Sequence, residues 1–193
     1  MRLALCFTKR KHNLFTQSMT RLIGLYSHAP GSGKSAVAGM LDGEIVSFAA
    51  PLKRFVTSII FGLGHDGFSA VRDHKEDKIA EIGVSPRQMM QTLGTEWGRS
   101  CIHPNLWEIL AESQAKGLLN SGFSVVFDDV RFPNDAEMIR RLGGELWLVN
   151  RPGVVYDGNH ASEGALSDVL PDAVINNSGS IEDLRAIVAG LLE

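Results

Sequence analysis

Residues 22–41, LIGLYSHAPGSGKSAVAGML, run from an apolar stretch of strand length through a glycine-rich loop into a helical pattern. That order leaves few folds open. A loop held between a buried strand and a helix turns backbone N–H groups and the positive end of the helix toward one point, which suits phosphate. The loop is close to the phosphate-binding pattern G-x-x-x-x-G-K-[ST], with His28 where its first glycine stands. That position starts the turn out of the strand, ahead of the residues that wrap the phosphate, so a side chain fits there if its φ stays negative. Gly31, Ser32 and Gly33 let the backbone approach the phosphates, Lys34 reaches the β and γ oxygens, Ser35 offers a hydroxyl to Mg2+, and Ala36 continues the first turn. A glycine-rich turn that merely precedes a lysine is the plainer alternative.

From Arg21 onward, apolar runs of strand length alternate with helical periodicity, the pattern of a parallel sheet with crossover helices. Strands are expected at 22–27, 44–49, 124–129, 145–150 and 172–177. The fold class is therefore α/β: a three-layer P-loop NTPase fold with a parallel sheet of about five strands. Helices are expected over 34–41, from Pro51 to about Phe61, and from Ser85-Pro86 with Met89, Met90, Leu93 and Trp97 on one face. A further helix starts near Asn105 and buries Trp107, Leu110, Ala111 and Leu118. Pro133 opens the next, with Asp135 and Glu137 in its first turn, Arg140 and Arg141 in its last, and Gly143 as its stop. Ser180 and Asp183 cap the last helix, whose stripe is Leu184, Ile187, Val188, Leu191 and Leu192. GLGHDGFS, 62–69, reads as a mobile loop. The mostly helical insertion after the second strand and the irregular stretch RPGVVYDGNHASEG suit an acceptor-binding insertion and a short lid.

A P-loop site needs a carboxylate at the end of a neighbouring strand to hold Mg2+ directly or through water. Asp128 and Asp129 close SVVFDD, and because successive strand residues point to opposite faces, one of the two faces the loop. Ordinary acids at a strand end are the plainer reading.

The 193 residues, 44% of them hydrophobic, suffice for one core, taken as one domain over 19–193. Residues 1–18 carry Arg2, Lys9, Arg10 and Lys11 and no acid. They read as a disordered basic extension with Met19 as the natural start, or as a targeting presequence. The formal charge of −3 thus leaves about −7 on the rest of the chain, the wrong sign for a nucleic-acid-binding body. Cys6 and Cys101 make neither a disulfide framework nor a metal-ligand pair, which fits a reducing cytoplasm. No apolar run approaches the length of a membrane span.

SPRQMMQTLGTEWGR (85–99), IHPNLW (102–107), DDVRFPNDAE (128–137) followed by GGELWLVNRPG, HASE (160–163) and INNSGS (175–180) together resemble the phage-type deoxynucleoside monophosphate kinase family. The resemblance runs from about residue 21 to the last residue. It implies an adenylate-kinase-like architecture and transfer of the γ-phosphoryl of ATP, with Mg2+, to a deoxynucleoside monophosphate. The catalytic set is then Lys34, Asp129 and Arg131, with Ser35, Asp128 and Asp129 for the metal. Arg131, two residues past Asp129, is the arginine expected on the transferring group or the acceptor phosphate. Lys53, Arg87, Gln91, Trp97 and Arg99 are the acceptor candidates, Gln91 reading a base edge and Trp97 stacking on it or packing in the core. Arg151, His160, Ser162 and Glu163 fall in the lid, where HASE marks the family. Asn176 and Asn177 stand where adenine contacts are expected, or form an Asn-rich turn. The chain is expected as a monomer or homodimer. Kinases of phosphomevalonate or dephospho-coenzyme A, and a nucleotide-binding regulator without catalysis, are the competing readings.

Overall fold

The computed structural model describes residues 20–154 and 165–193. Five parallel strands, β1 (Leu22–Tyr26), β2 (Glu44–Val46), β3 (Val125–Phe127), β4 (Glu145–Asn150) and β5 (Ala173–Asn176), form one sheet in the order β2-β3-β1-β4-β5. β1 is central and buried along its whole length, as its unbroken apolar run requires when helices cover both faces. On one face, α5 (Leu106–Asn120) and α6 (Pro133–Arg141) close a core around Tyr26, Phe48, Phe127, Met138 and Leu146. On the other, α1 (Lys34–Ala38) and α7 (Ile181–Gly190) cover Leu25, Val126, Trp147 and Ile175. At Gly24 the absence of a Cβ matters, since one would overlap the Ile139 side chain and push α6 off the sheet.

The insertion between β2 and β3 holds α2 (Ala50–Gly62), α3 (Gly67–Arg72) and α4 (Pro86–Thr92), the last running on into a π-wound segment, Leu93–Ile102. Val56, Ile60 and Ile79 are its own small core. No helix among the described residues is long and apolar enough to cross a membrane.

Four expectations need correction. The second strand stops at Val46, because Ser47, Phe48 and Ala49 turn their donors onto Asp129 instead of a neighbouring strand. The first helix stops at Ala38, with Gly39 as its cap. The stretch 62–69 is not all loop: Asp66 accepts from the backbone N–H of Phe68 (3.0 Å) and Ser69 (3.2 Å) and so starts α3. Leu110 is exposed, since α5 buries the Trp107, Ala111, Ala115 face and Leu110 falls outside it.

Candidate active site

The phosphate loop follows β1 directly. Gly31 and Gly33 have φ of 75° and 100°, the left-handed region that favours glycine. A Cβ at Gly33 would also run into the Asn177 side chain, which approaches to donate from Nδ2 to the Ser32 carbonyl at 2.9 Å. The Asn177 N–H in turn donates to the Asn150 carbonyl at 2.7 Å, so the ends of β4 and β5 hold the loop in place. Asn176 points elsewhere, accepting from Asn150 Nδ2 at 3.3 Å. Of the two asparagines, then, it is Asn177 that reaches the loop. The Lys34 ammonium donates to Ser27 Oγ, whose own proton goes to the Ala29 carbonyl at 2.8 Å. His28 packs its ring edge-on against Tyr26, centroids 6.0 Å apart, and so replaces a glycine by resting on the strand it leaves.

The two aspartates after β3 divide as the strand alternation demands. Asp129 turns to the β2–α2 corner, where its carboxylate accepts from Ser47 Oγ (2.5 Å), Phe48 N (2.9 Å) and Ala49 N (3.1 Å). Both its oxygens are thereby engaged in bracing the corner, and Asp129 also lines the cavity beyond it. Asp128 faces the phosphate side, within the fields of Lys53 and Lys34. Its Oδ1 is buried and has no hydrogen-bond partner among the described residues. Burial raises its pKa above the usual carboxylate range and Asp129 adds to this, while Lys53 and Lys34 act against it.

Beyond Asp129 opens a cavity of about 930 Å3 walled by α2, α3, α4 and the π-wound segment. Lys53, Arg54, Arg72, Lys75, Arg87, Arg99 and Arg131 line it, against Asp129 and Asp135 alone among the described residues. Such an excess of guanidinium and ammonium groups suits a phosphorylated ligand. The Arg99 guanidinium lies 4.7 Å over the Phe132 ring and donates to the buried Glu108 carboxylate at 3.2 Å. Arg87 is paired with Glu76 at the rim. Asp135 accepts from the backbone N–H of both Arg131 and Phe132 at 3.0 Å, which fixes the chain at Arg131. Burial outweighs those two bonds and pushes the Asp135 carboxyl up to about 7, with Glu108 and Asp129 contributing in the same direction.

Gln91 lines the cavity, but Trp97 does not. Trp97 lies instead in a separate apolar groove with Phe55, Ile59 and Met89, 49% exposed. The expectation of a base stacking on Trp97 assumed α-helical spacing up to that residue, whereas the wider turns from Leu93 onward swing it off the Met90 and Gln91 face. The indole in the cavity wall is Trp107, whose Nε1 donates to the Gly94 carbonyl at 2.8 Å. Gly98 makes that fit possible, since a Cβ there would overlap the Trp107 ring. Arg151 stands exposed after β4 and is not among the cavity residues. His160, Ser162 and Glu163, like the expected extension 1–18, lie outside the described residues.

A phosphate loop beside a cation-lined cavity suits a phosphoryl-transfer enzyme, and the family profile described as deoxynucleotide monophosphate kinase matches residues 32–188. The chain belongs to the deoxynucleotide monophosphate kinase family. Within that family it is 33% identical over 187 residues to a protein of Acanthamoeba polyphaga mimivirus that carries a provisional deoxynucleotide monophosphate kinase name, a match covering 89% of this chain and 96% of the other. To the deoxynucleoside-5'-monophosphate kinase of Escherichia phage T5 it is 41% identical over 124 residues, 60% of this chain and 48% of that protein. The match therefore spans about half of the phage protein. Among solved structures, a dephospho-CoA kinase from Campylobacter jejuni superposes with a TM-score of 0.50 at 14% identity over 90% of this chain and 96% of its own, a likeness of fold alone.

This deoxynucleotide monophosphate kinase family member is thus a phosphotransferase; of the residues singled out in the sequence, Lys53, Arg87, Gln91, Arg99, Asp129 and Arg131 line one cleft, and Asp128 lies within the fields of Lys34 and Lys53. Sequence reasoning did not single out Glu108, read Asp135 as a first-turn helical acid, and missed the Phe61 and Phe68 wall of the cavity. The signal for the last was Asp66 standing just before a glycine and an aromatic residue, a capping position hidden among three glycines.

Proposed function

We propose that this chain transfers the γ-phosphoryl group of ATP to the phosphate of a deoxynucleoside monophosphate, releasing ADP and a deoxynucleoside diphosphate. The observation that carries this reading is the adjacency of two anion-seeking sites at the C-terminal ends of β1 and β3, with Asp128 lying within the fields of Lys34 of one and Lys53 of the other. Ligands of open α/β sheets collect at this point, where the strand order reverses.

Phosphoryl transfer passes through a loose, highly charged arrangement, so alignment and charge neutralisation are the main contributions required of the protein. The loop N–H groups and Lys34 hold the β and γ phosphates. Lys53 and Arg99 hold the acceptor phosphate, and Arg131, fixed through its backbone by Asp135, reaches the transferring group. Arg87 and Gln91 complete the acceptor side. Arg151 is assigned to the lid together with His160 and Glu163. Asn176, at the end of β5, keeps an adenine contact.

Mg2+ fits the residues present: the buried, unpartnered Asp128 Oδ1 and the Ser35 hydroxyl are hard oxygen donors, and this ion binds through one or two such groups plus substrate phosphates. When bound it neutralises charge on the β and γ oxygens. The reading places the chain in the cytoplasm, where ATP and free nucleotides meet it.

The test is ATP-dependent ADP release, with Mg2+, against dAMP, dCMP, dGMP, dTMP and their ribose counterparts. Turnover with at least one deoxynucleotide is expected; silence across the panel while ATP still binds would sink the proposal.

A further inference from the structure

α2 presents one face to the cavity, and its chemistry changes in order along the helix. Lys53, Arg54, Thr57, Ser58 and Phe61 all line the cavity, at a spacing that puts them on one side of an α-helix. The cationic end lies beside Asp128 and Asp129; the hydroxyls of Thr57 and Ser58 follow; Phe61 ends the row. At 1.5 Å of rise per residue, Phe61 stands roughly 12 Å along the axis from Lys53. A nucleoside monophosphate has the same order of parts: phosphate, sugar, base.

At the far end, Phe61 meets Phe68 of α3 edge to face, with ring centroids 5.3 Å apart and planes at 77°. Both rings line the cavity, yet they are left 47% and 69% exposed, an arrangement that core packing does not call for. The pair is held where it is by backbone. Gly67 lies so close to the Thr57 carbonyl that a Cβ would overlap it, and Asp66 caps the turn that carries Phe68. An edge-to-face pair leaves ring faces open to a third ring. Met90 and Gln91 of α4 also line the cavity.

We propose that Phe61 and Phe68 are the platform on which the acceptor's base stacks, with α2 acting as a ruler from phosphate to base. This inference rests on the deoxynucleoside monophosphate kinase reading above and gives the base position to residues of α2 and α3 in place of Trp97. Stacking tolerates any base, because every base has a π-face. The platform therefore supplies affinity for all acceptors, while selection among bases falls to edge contacts such as those of Gln91.

Phe68→Leu tests this, since the exposed position keeps an apolar side chain and loses only the ring. KM for each accepted deoxynucleoside monophosphate is expected to rise about tenfold or more, the range that removal of one base–aromatic stack gives. kcat and the KM for ATP are expected to stay within about twofold, and Phe68→Tyr to restore wild-type KM. Deoxyribose 5-phosphate, which has no base, is then used as a competitive inhibitor, and its inhibition constant is expected to be the same in wild type and Phe68→Leu. An unchanged KM in Phe68→Leu, or a parallel weakening of deoxyribose 5-phosphate, would overturn the platform while leaving the kinase reading intact. A wild-type protein inactive toward every deoxynucleotide would overturn both.

Discussion

Asp135 carries two backbone N–H bonds and still holds its proton to about pH 7, because it is buried near Glu108 and Asp129. Its folded pKa lies above its unfolded value, so between roughly pH 4 and 7 the native state binds the extra proton. Stability then falls as pH rises through that window, by about 1 kcal/mol per pH unit, and levels off above 7. An asparagine can offer one carbonyl oxygen to both N–H groups without a charge to bury. Asp135→Asn is therefore expected to gain on wild type progressively from about pH 4 to 7 in urea denaturation, the two curves running parallel above and below that range. Parallel curves throughout would show that the carboxyl is ionised when folded. At this scale the sequence was most readable where one residue's role depends on its immediate neighbours. Gly31, Gly33 and Lys34 belong to a continuous loop whose chemistry is local. Asn177 acts on a carbonyl 145 positions away, and no pattern of spacing exposes such a partner.

The π-wound segment Leu93–Ile102 is the element that most alters the site. Its turns are wider than those of the α4 helix it continues, and Gly94 and Gly98 let Trp107 lie against it, one by its carbonyl and the other by its missing side chain. Gly98→Ala is expected to lose about 1–3 kcal/mol in chemical denaturation, the usual range for forcing a methyl group into a packed core. Acceptor KM should rise with it, because Gly94, Thr95 and Arg99 of the same segment line the cavity, while the KM for ATP should not change. An alanine variant as stable as wild type would mean the Trp107 ring can yield. Strands and capped helices were legible because period and caps are short-range: Ser85 accepts from Gln88 N, and Ser180 and Asp183 cap reciprocally. The π turns were not, since a change from i→i+4 to i→i+5 bonding leaves no period to read in ten residues, and Trp97 comes to lie outside the cavity as a result.

Across the whole molecule, the two sites share the C-terminal edge of the sheet but draw on different cores, the ATP side on the sheet and its helices and the acceptor side largely on the insertion. Each ligand should stabilise the fold on its own. At 100 times its dissociation constant a ligand adds about 2.7 kcal/mol, roughly 5–10 °C in Tm for a chain of this size. Lys34→Ala is expected to abolish turnover and most of the ATP-induced shift, while the shift from a deoxynucleoside monophosphate stays at its wild-type size. Loss of both shifts would mean that the lysine holds the fold as well as the phosphates. The α/β class was readable at this level because alternation of strand and helix leaves one sheet type open. The order of strands was not, as it depends on which edges meet across long stretches of chain, as when Ile23 pairs with Glu145.

The amide of Asn177 that fastens the phosphate loop has a consequence for how the protein comes into being. A chain is made from its N-terminal side onward, so Gly31 to Ser35 leave the ribosome ahead of β4, β5 and Asn177, which follows Ser32 by 145 residues. A nascent chain halted before β4 would hold the glycine loop and the whole insertion, yet neither of the two strands that brace the loop from behind. Translation order thus withholds the braced loop until β5 and Asn177 have been made, and a chain cut short before them would carry a phosphate loop without its fastening.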